Sequence, residues 1–497
     1  MSIDWLERAD ATELYVRDFV DGRWLPESDG GRIEKYSPRD GRLLYRFGAE
    51  DGRNVDDAVA AARRSFDDRR WSGLSVQRRK DTLLRLADLL DRHREEFALL
   101  ECLDVGKPIS DAWSLDVPAS AAELRFYAEA IDKVYGKVYA VDPSNLSYQL
   151  RRPIGVVAGI VGWNFPLFLA IQKIGPALAA GNSLVLKPSE LTSLSAARVA
   201  ALALEAGVPE GVFNVVHGGS SAGAALAHHR EVDLITFTGS TATGKRLLIA
   251  AGQSNMKRLI LECGGKAPNM VFADSPNLDA VAEYVALRAF RNQGEVCSAS
   301  SRLLVHRSVE HELLERIVSK MSAWCPGDPL KPETRFGAVI SQVHRNKVLA
   351  YVDSGEREGA NIIYRSSSPA PHENGYYIGP VIFANVAPTQ KIAQEEIFGP
   401  VLSVISFDSD EEAIRIANNT IYGLTATLWT KDMGRAHRVS QAIHAGLVVV
   451  NATEAPTGGP SAGVLAVGGH KESGMGIEGG LQGLEAYTNE TAVQFFV

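Results

Sequence analysis

The sequence predicts an α/β fold: a parallel sheet with helices on both faces, in a chain of more than one domain. Three observations carry this expectation. A length of 497 residues exceeds what one ordinary hydrophobic core accommodates, so two or three domains are expected. From Pro153 onward, short β-branched or apolar runs at 156–161, 183–186, 213–216 and 233–237 alternate with alanine-rich helical stretches such as 195–206 and 221–228. A second alternating unit opens near 269–272, with further strands expected at 302–305, 401–407 and 447–450. In such sheets ligands bind at the carboxyl ends of strands, beside Gly-rich turns.

The region ahead of Pro153 reads differently. Leu83, Leu86, Leu90 and Phe97 fall on helical spacing, and the helix should stop near Gly106, Lys107 and Pro108. A second helical run at 119–134 should end at Gly136, and 137–151 reads as extended. No internal repeat is evident. The one biased loop is 452–469, rich in Gly, Pro, Ser and Ala.

Composition narrows the function classes. Hydrophobic residues make up 45% and charged residues 23%, a globular balance far from disorder. Sixty acidic against fifty-two basic residues leave a net charge of -8, so no cationic footprint for nucleic acid or anionic lipid is expected. Arg78, Arg79 and Lys80 are diluted by Asp81, Asp88 and Asp91, which suits a solvated helix face. The stretch 154–172 carries no charge and approaches the length of a bilayer span. Its glycines, with Asn164 and Pro166, fit a buried strand running into a turn better than a membrane helix. The first residues hold no apolar segment of the secretory kind, so a soluble, cytoplasmic protein is expected. The four cysteines have no paired spacing, which argues against a metal site and against a disulfide framework. A functional cysteine here would act alone.

Several segments carry chemistry. The run 233–244 is a strand, a Gly239-Ser240 turn and a helix starting near Thr241, where free N–H groups could receive a pyrophosphate. An ordinary tight turn uses the same residues. Lys187 and Glu190 follow a strand, where an acidic residue can accept from ribose hydroxyls; a surface charge pair is the alternative. In the strand ending at Glu262, Leu259, Leu261 and Cys263 share one face while Ile260 and Glu262 share the other. Glu262 beside Gly264 and Gly265 is either structurally paired or a base tuned by desolvation. Cys263 belongs to the packing face. Cys297 lies just past Gly294 in a polar, small-residue run, which suggests an accessible thiol able to attack an electrophile. No histidine has the context of a Cys-His pair. Asn164, after Gly162 and Trp163, could donate to a developing oxyanion or merely cap the turn before Pro166.

Together these segments resemble the aldehyde dehydrogenase superfamily over nearly the whole chain. The resemblance rests on six motifs in family order: Trp163 to Pro166, Lys187 to Glu190, Phe237 to Ser240, Glu262 with Gly264 to Lys266, Gly294 to Cys297, and Glu396 to Pro400. It implies a Rossmann-type NAD-binding domain (1–135 and 153–264), a second α/β catalytic domain (265–472) and a small β oligomerisation arm (136–152 and 473–497). Cys297 would be the nucleophile, forming a thiohemiacetal and then a thioester. Asn164 and the backbone N–H of Cys297 would hold the oxyanion, and Glu262 would activate the hydrolytic water. NAD is the implied cofactor. Lys187 and Glu190 would hold its adenosine ribose, Gly239 and Ser240 its pyrophosphate and Glu396 its nicotinamide ribose, with Phe398 packing by the ring. Phe165, Gln172 and Val296 would line the tunnel of a small aldehyde substrate. An exposed apolar terminal strand, Val493 to Val497, implies a homodimer or homotetramer.

Within the superfamily, 128–136 and 251–258 look like the γ-glutamyl-γ-aminobutyraldehyde dehydrogenase group, which implies aminoaldehyde or other ω-substituted substrates. Gln172 stands where many relatives place a tryptophan, Gly162 replaces a common proline, and Val467 stands where an aromatic residue commonly precedes two glycines. A CoA-acylating semialdehyde dehydrogenase would share the fold and Cys297, but such enzymes usually lack the base at Glu262. A non-catalytic protein of the same fold would not be expected to keep Asn164, Glu262 and Cys297 together.

Overall fold

The computed structural model describes residues 3–27, 31–49, 52–142, 144–452 and 464–496. Two large sheets organise the molecule. The first has eight strands in the order Arg23–Trp24, Phe19–Val20, Phe213–Val215, Ser183–Lys187, Val156–Ile160, Leu234–Thr238, Arg258–Glu262 and Gly474–Met475. The five central strands are parallel, and both edges are antiparallel. Numbered along the chain, the central strands run three, two, one, four, five. The order therefore reverses between Val156–Ile160 and Leu234–Thr238, the kind of switch point at which open parallel sheets bind ligands.

Alternation along these strands divides the apolar residues between two cores. Val157, Leu184, Leu234 and Ile260 face the helices Val76–Arg92, Val117–Ala130, Pro166–Ala180 and Leu194–Ala206. Val156, Val185, Ile235 and Leu261 face Arg53–Asp67, Ser220–His228 and Thr241–Gln253. A period of two on a sheet covered on both sides produces this split. The reading of Leu261 and Cys263 on one face, with Ile260 and Glu262 on the other, agrees with it.

The second sheet has seven strands: Asn361–Arg365, Val381–Ala384, Val401–Phe407, Arg302–His306, Pro268–Val271, Thr425–Trp429 and Leu447–Val450. All pairs are parallel except the first. Leu278–Phe290 and Arg307–Lys320 pack on one face, and Gln342–Arg357, Asp410–Asn418 and Met433–Ala442 on the other. A separate antiparallel sheet joins Thr488–Phe496, Asn145–Pro153 and Lys137–Asp142. It leaves Val138, Val141, Leu146 and Phe496 exposed.

The structure departs from the sequence reading at two places. The helix expected through Leu83 and Phe97 is two helices, Val76–Arg92 and Arg94–Val105, broken at His93, whose N–H bonds back to Leu89 while its carbonyl starts the next helix. Of the segment 473–497 expected in the arm, Gly474–Met475 instead caps the edge of the first sheet against Arg258–Glu262, and only Thr488–Phe496 enters the three-stranded sheet. Within the loop 452–469, residues 453–463 lie outside the described residues.

Leu184 sits at the centre of the first sheet with no exposed surface. Leu184→Ala should cost about 2–5 kcal/mol. Urea denaturation followed by tryptophan fluorescence measures it; a loss below about 0.5 kcal/mol, the range of surface substitutions, would refute this packing.

Candidate active site

One cavity of about 900 Å³ lies where the two sheets meet. Its wall includes Cys297, Glu262, Asn164, Lys187, Glu190, Gly239, Ser240, Glu396, Phe398, Phe165, Gln172 and Val296, so every residue singled out from the sequence reaches the same space. They arrive on separate elements. Asn164 and Phe165 follow the strand Val156–Ile160, Lys187 ends Ser183–Lys187, Gly239 and Ser240 follow Leu234–Thr238, and Glu262 ends Arg258–Glu262. Cys297 comes from the far side, past the helix Leu278–Phe290 and the turn Arg291–Gly294.

The chain from Glu262 to Lys266 crosses between the sheets, and its glycines let the walls close. A Cβ on Gly264 would overlap the Glu396 carboxylate, and one on Gly265 would overlap the Cys297 carbonyl. With no Cβ there, the Gly265 N–H donates to Glu396 Oε1 at 2.9 Å. The Gly239 N–H donates to the Glu262 carbonyl at 3.0 Å, tying the Gly/Ser turn to the carboxylate's own backbone.

The Cys297 loop is held by strained backbone. Asn292 and Gln293 have φ of 50° and 57°, a region that residues bearing a Cβ rarely adopt. The Asn292 amide donates to the Asn164 carbonyl and to the Glu295 carbonyl, both at 3.2 Å. Asn164 Nδ2 donates to the same Glu295 carbonyl at 2.9 Å, which fixes the amide while leaving its second N–H for the cavity. The helix Pro166–Ala180 starts from Phe165 without a side-chain cap bond, and the bond made by the Asn164 side chain runs to the Glu295 carbonyl instead of the turn. Phe398 has φ 59° and stands edge-on to Trp163 at 5.1 Å between ring centres.

The electrostatics disfavour charge on both reactive groups. Burial, then Glu396 and Glu262, push the Cys297 thiol up to about 12. Burial, then Glu478, hold the Glu262 carboxyl well above its usual range, and Lys173 opposes them. Glu262 Oε1 is enclosed and has no hydrogen-bond partner, and among the described residues no cation pairs with this carboxyl. Burial also raises Glu396 and lowers Lys187, whose ammonium lies 3.6 Å from Glu190.

Sequence reasoning missed four neighbours. Lys173 and Glu478 form a buried ion pair beside Glu262. His344 Nε2 bonds to the Phe398 carbonyl at 2.6 Å, and burial pushes the ring down to about 4, so it is neutral and its Nε2–H donates. Arg288 reaches the cavity from Leu278–Phe290 and donates to the Ser298 carbonyl at 2.9 Å. Lys173 lies four residues after the cavity residue Leu169, on the same side of the helix Pro166–Ala180, so helical spacing could have found it. The other three are remote in sequence and carried no signal.

The cavity's other end suits a dinucleotide. Two helices begin on it, Ser220–His228 and Thr241–Gln253, the second capped by Ser240 accepting from the Thr243 N–H. Two helix starts on one wall present N–H groups to an anion. Gly219, the N-cap of the first, has nothing within 4 Å of where a Cβ would sit, so backbone there is open to a ligand. Thr238 Oγ1, on the wall between them, is enclosed and unpartnered. These donors fit a pyrophosphate.

Comparison with known proteins agrees with the fold. The sequence profile of the aldehyde dehydrogenase family matches residues 24–493. The NADP/NAD-dependent aldehyde dehydrogenase PuuC of Escherichia coli is 44% identical over 97% of this chain and 96% of its own. The crystal structure of a γ-glutamyl-γ-aminobutyraldehyde dehydrogenase from Burkholderia cenocepacia superposes with a TM-score of 0.96 at 46% identity, covering 99% of each chain. That of an indole-3-acetaldehyde dehydrogenase complexed with NAD+ gives 0.96 at 45%, again over 99% of each chain. The chain belongs to the aldehyde dehydrogenase family.

A thiol held near 12 in the free protein should react slowly with iodoacetamide at neutral pH, and labelling of Cys297 should rise about tenfold per pH unit between about pH 7 and 10. Peptide mass spectrometry follows it; a rate flat across that range would mean a thiolate already formed.

Proposed function

We propose that this chain oxidises an aldehyde to a carboxylic acid with NAD, through a thioester on Cys297. The observation that carries the reading is one cavity holding Cys297, the amide of Asn164 and the unpartnered carboxyl of Glu262 beside the two helix starts. Family membership and relatives named for NAD support it.

Cys297 gives up its thiol proton to solvent, its Sγ forms a bond to the aldehyde carbon, and the carbonyl oxygen takes up the negative charge. The free N–H of Asn164 and the backbone N–H of Cys297 donate to that oxygen. NAD, when bound, supplies the two-electron acceptor that turns the thiohemiacetal into a thioester. Glu262 then takes a proton from water, whose oxygen attacks the thioester carbon. The C–S bond breaks, and the acid and the thiol are released. Splitting oxidation from hydrolysis needs a soft nucleophile and a separately placed base, and these stand on different elements, Glu262 at a strand's end and Cys297 past the turn Arg291–Gly294.

Lys187 and Glu190 would hold the adenosine ribose, Gly239 and Ser240 the pyrophosphate, and Glu396 the nicotinamide ribose, with Phe398 beside the ring; all of them line the cavity. Phe165, Gln172 and Val296 wall the aldehyde's approach. On this reading the first sheet with its helices, 1–135 and 153–264, is the NAD-binding domain, and 265–472 is the catalytic domain. The exposed apolar residues on the three-stranded sheet favour a homodimer or homotetramer that covers them. Four free cysteines fit the reducing cytoplasm. Among the described residues, no helix is long and apolar enough to cross a membrane. The solved relatives' names, for a γ-glutamylated aminobutyraldehyde and for indole-3-acetaldehyde, favour an aldehyde with a substituent at its far end.

Cys297→Ala should form no NADH while binding NAD near the parent affinity by calorimetry; steady turnover in that variant would refute the nucleophile. Glu262→Gln should release one equivalent of NADH in a burst and then stall, because only hydrolysis needs the base. In the parent, acid release should speed up as pH rises above the ordinary carboxylate range, since Glu262 must first lose its proton. Stopped-flow absorbance with product analysis reads both, and turnover of Glu262→Gln at the parent rate would reassign the base.

A further inference from the structure

Arg288 is an anomaly in the cavity. Its guanidinium reaches a wall otherwise built largely of apolar side chains, Phe165, Phe168, Leu169, Leu287 and Val296 among them. It donates through one nitrogen to the carbonyl and hydroxyl of Ser298, the residue after Cys297, at 2.9 and 3.2 Å. Its Nε is enclosed and has no hydrogen-bond partner. Among the described residues no carboxylate lies within ion-pair distance of it. A buried cation without a counter-charge is costly, and a protein keeps one where a ligand supplies the missing anion.

The other charges on this wall are already engaged. Arg291 lies 3.7 Å from Asp111 and 3.8 Å from Asp116. Asp116 is further bound to Lys107 at 2.5 Å. Lys173 is taken by Glu478. Glu123, the one acid on the wall with both oxygens unpartnered, is pushed up to about 7 by burial and then by Glu478, so it offers at most a partial charge near neutral pH. Burial, and then the like charge of Arg291, lower Arg288, a cost that a bound anion would relieve.

We propose that the tunnel selects aldehydes carrying a carboxylate at the far end, bound by Arg288 with Arg291 adding to the positive field. The proposal rests on the reading of Cys297 as the nucleophile and names the substrate class of that site. A guanidinium is the group best matched to a carboxylate, because its planar fork can donate twice. Tethering Arg288 to Ser298 sets the anion's anchor at a fixed reach from the reacting sulfur. The aldehyde end is thereby positioned by the opposite end of the molecule. Arg288 is a specificity residue on this account. It contacts the substrate and takes no part in bond making.

The experiment compares butyraldehyde, succinic semialdehyde and trimethylammoniobutyraldehyde, which carry no charge, a carboxylate and a cation at matched length. The full-length protein with NAD should give kcat/KM at least about tenfold higher for the semialdehyde than for either other substrate. In Arg288→Met the ratio of semialdehyde to butyraldehyde should fall about thirtyfold, mainly through KM, and Arg288→Lys should recover part of it. Arg291→Gln should lower the ratio less, because that side chain is already satisfied by its own acids. If Arg288→Met does not fold, competition in the parent decides: succinate should inhibit butyraldehyde oxidation competitively, and diaminobutane should not. Preference for the cationic or neutral aldehyde, or no inhibition by succinate, overturns the proposal while leaving the Cys297 reading intact. Failure of every aldehyde to yield NADH would instead sink that reading and this one with it.

Discussion

Everything at the site depends on how the chain gets from one sheet to the other. Arg258–Glu262 ends the parallel run of the first sheet, and Pro268–Val271 stands in the middle of the second. The few residues between carry no bulk where the walls converge, so the Glu396 carboxylate and the Cys297 carbonyl can lie directly on backbone. Ser473 locks the crossing. Its carbonyl accepts from the Cys263 N–H at 2.8 Å, and its hydroxyl donates to the Gly264 carbonyl at 2.7 Å. A side chain in this passage would push the second sheet away and separate nucleophile from base. The cavity is the space that a bare linker leaves.

Much of this was legible in the sequence because it follows from local rules. The strands 401–407 and 447–450 coincide with the observed Val401–Phe407 and Leu447–Val450. β-branched runs between Gly-rich turns leave little choice of period. Glu262 could be placed on its own face by counting in twos. The helix break at His93 could not be read, because helical spacing continues across it and only a change of axis separates the two pieces. The family resemblance puts Gly474–Met475 in the arm, and local pattern gives nothing to correct it. Two residues have no periodicity, and only the unpaired edge of Arg258–Glu262 explains where they go.

The electrostatic partners were hidden by distance along the chain. Glu478 acts on Glu262 from more than two hundred positions away, and His344 meets Phe398 across fifty-four. Charge in a low-dielectric pocket acts through space, while sequence patterns record only neighbours. The consequence is a resting site that is nearly uncharged where reaction would occur. Cys297 and Glu262 both hold their protons more tightly than they would in water, and Glu262 is one of the groups that raise Cys297. Two anions side by side would repel, so a soft nucleophile and a base share one cavity most easily when they ionise in turn.

The capping of the first sheet by Gly474–Met475 has a bearing on how the molecule is made. Synthesis delivers Arg258–Glu262 long before the segment that borders it and before Glu478. A nascent chain can therefore assemble the five-stranded parallel unit and still present a raw edge beside an unfinished carboxyl environment. Ribosome-bound intermediates would have the parallel sheet before Glu262 has its final surroundings, and the strand that seals that edge leads directly into the segment carrying Glu478.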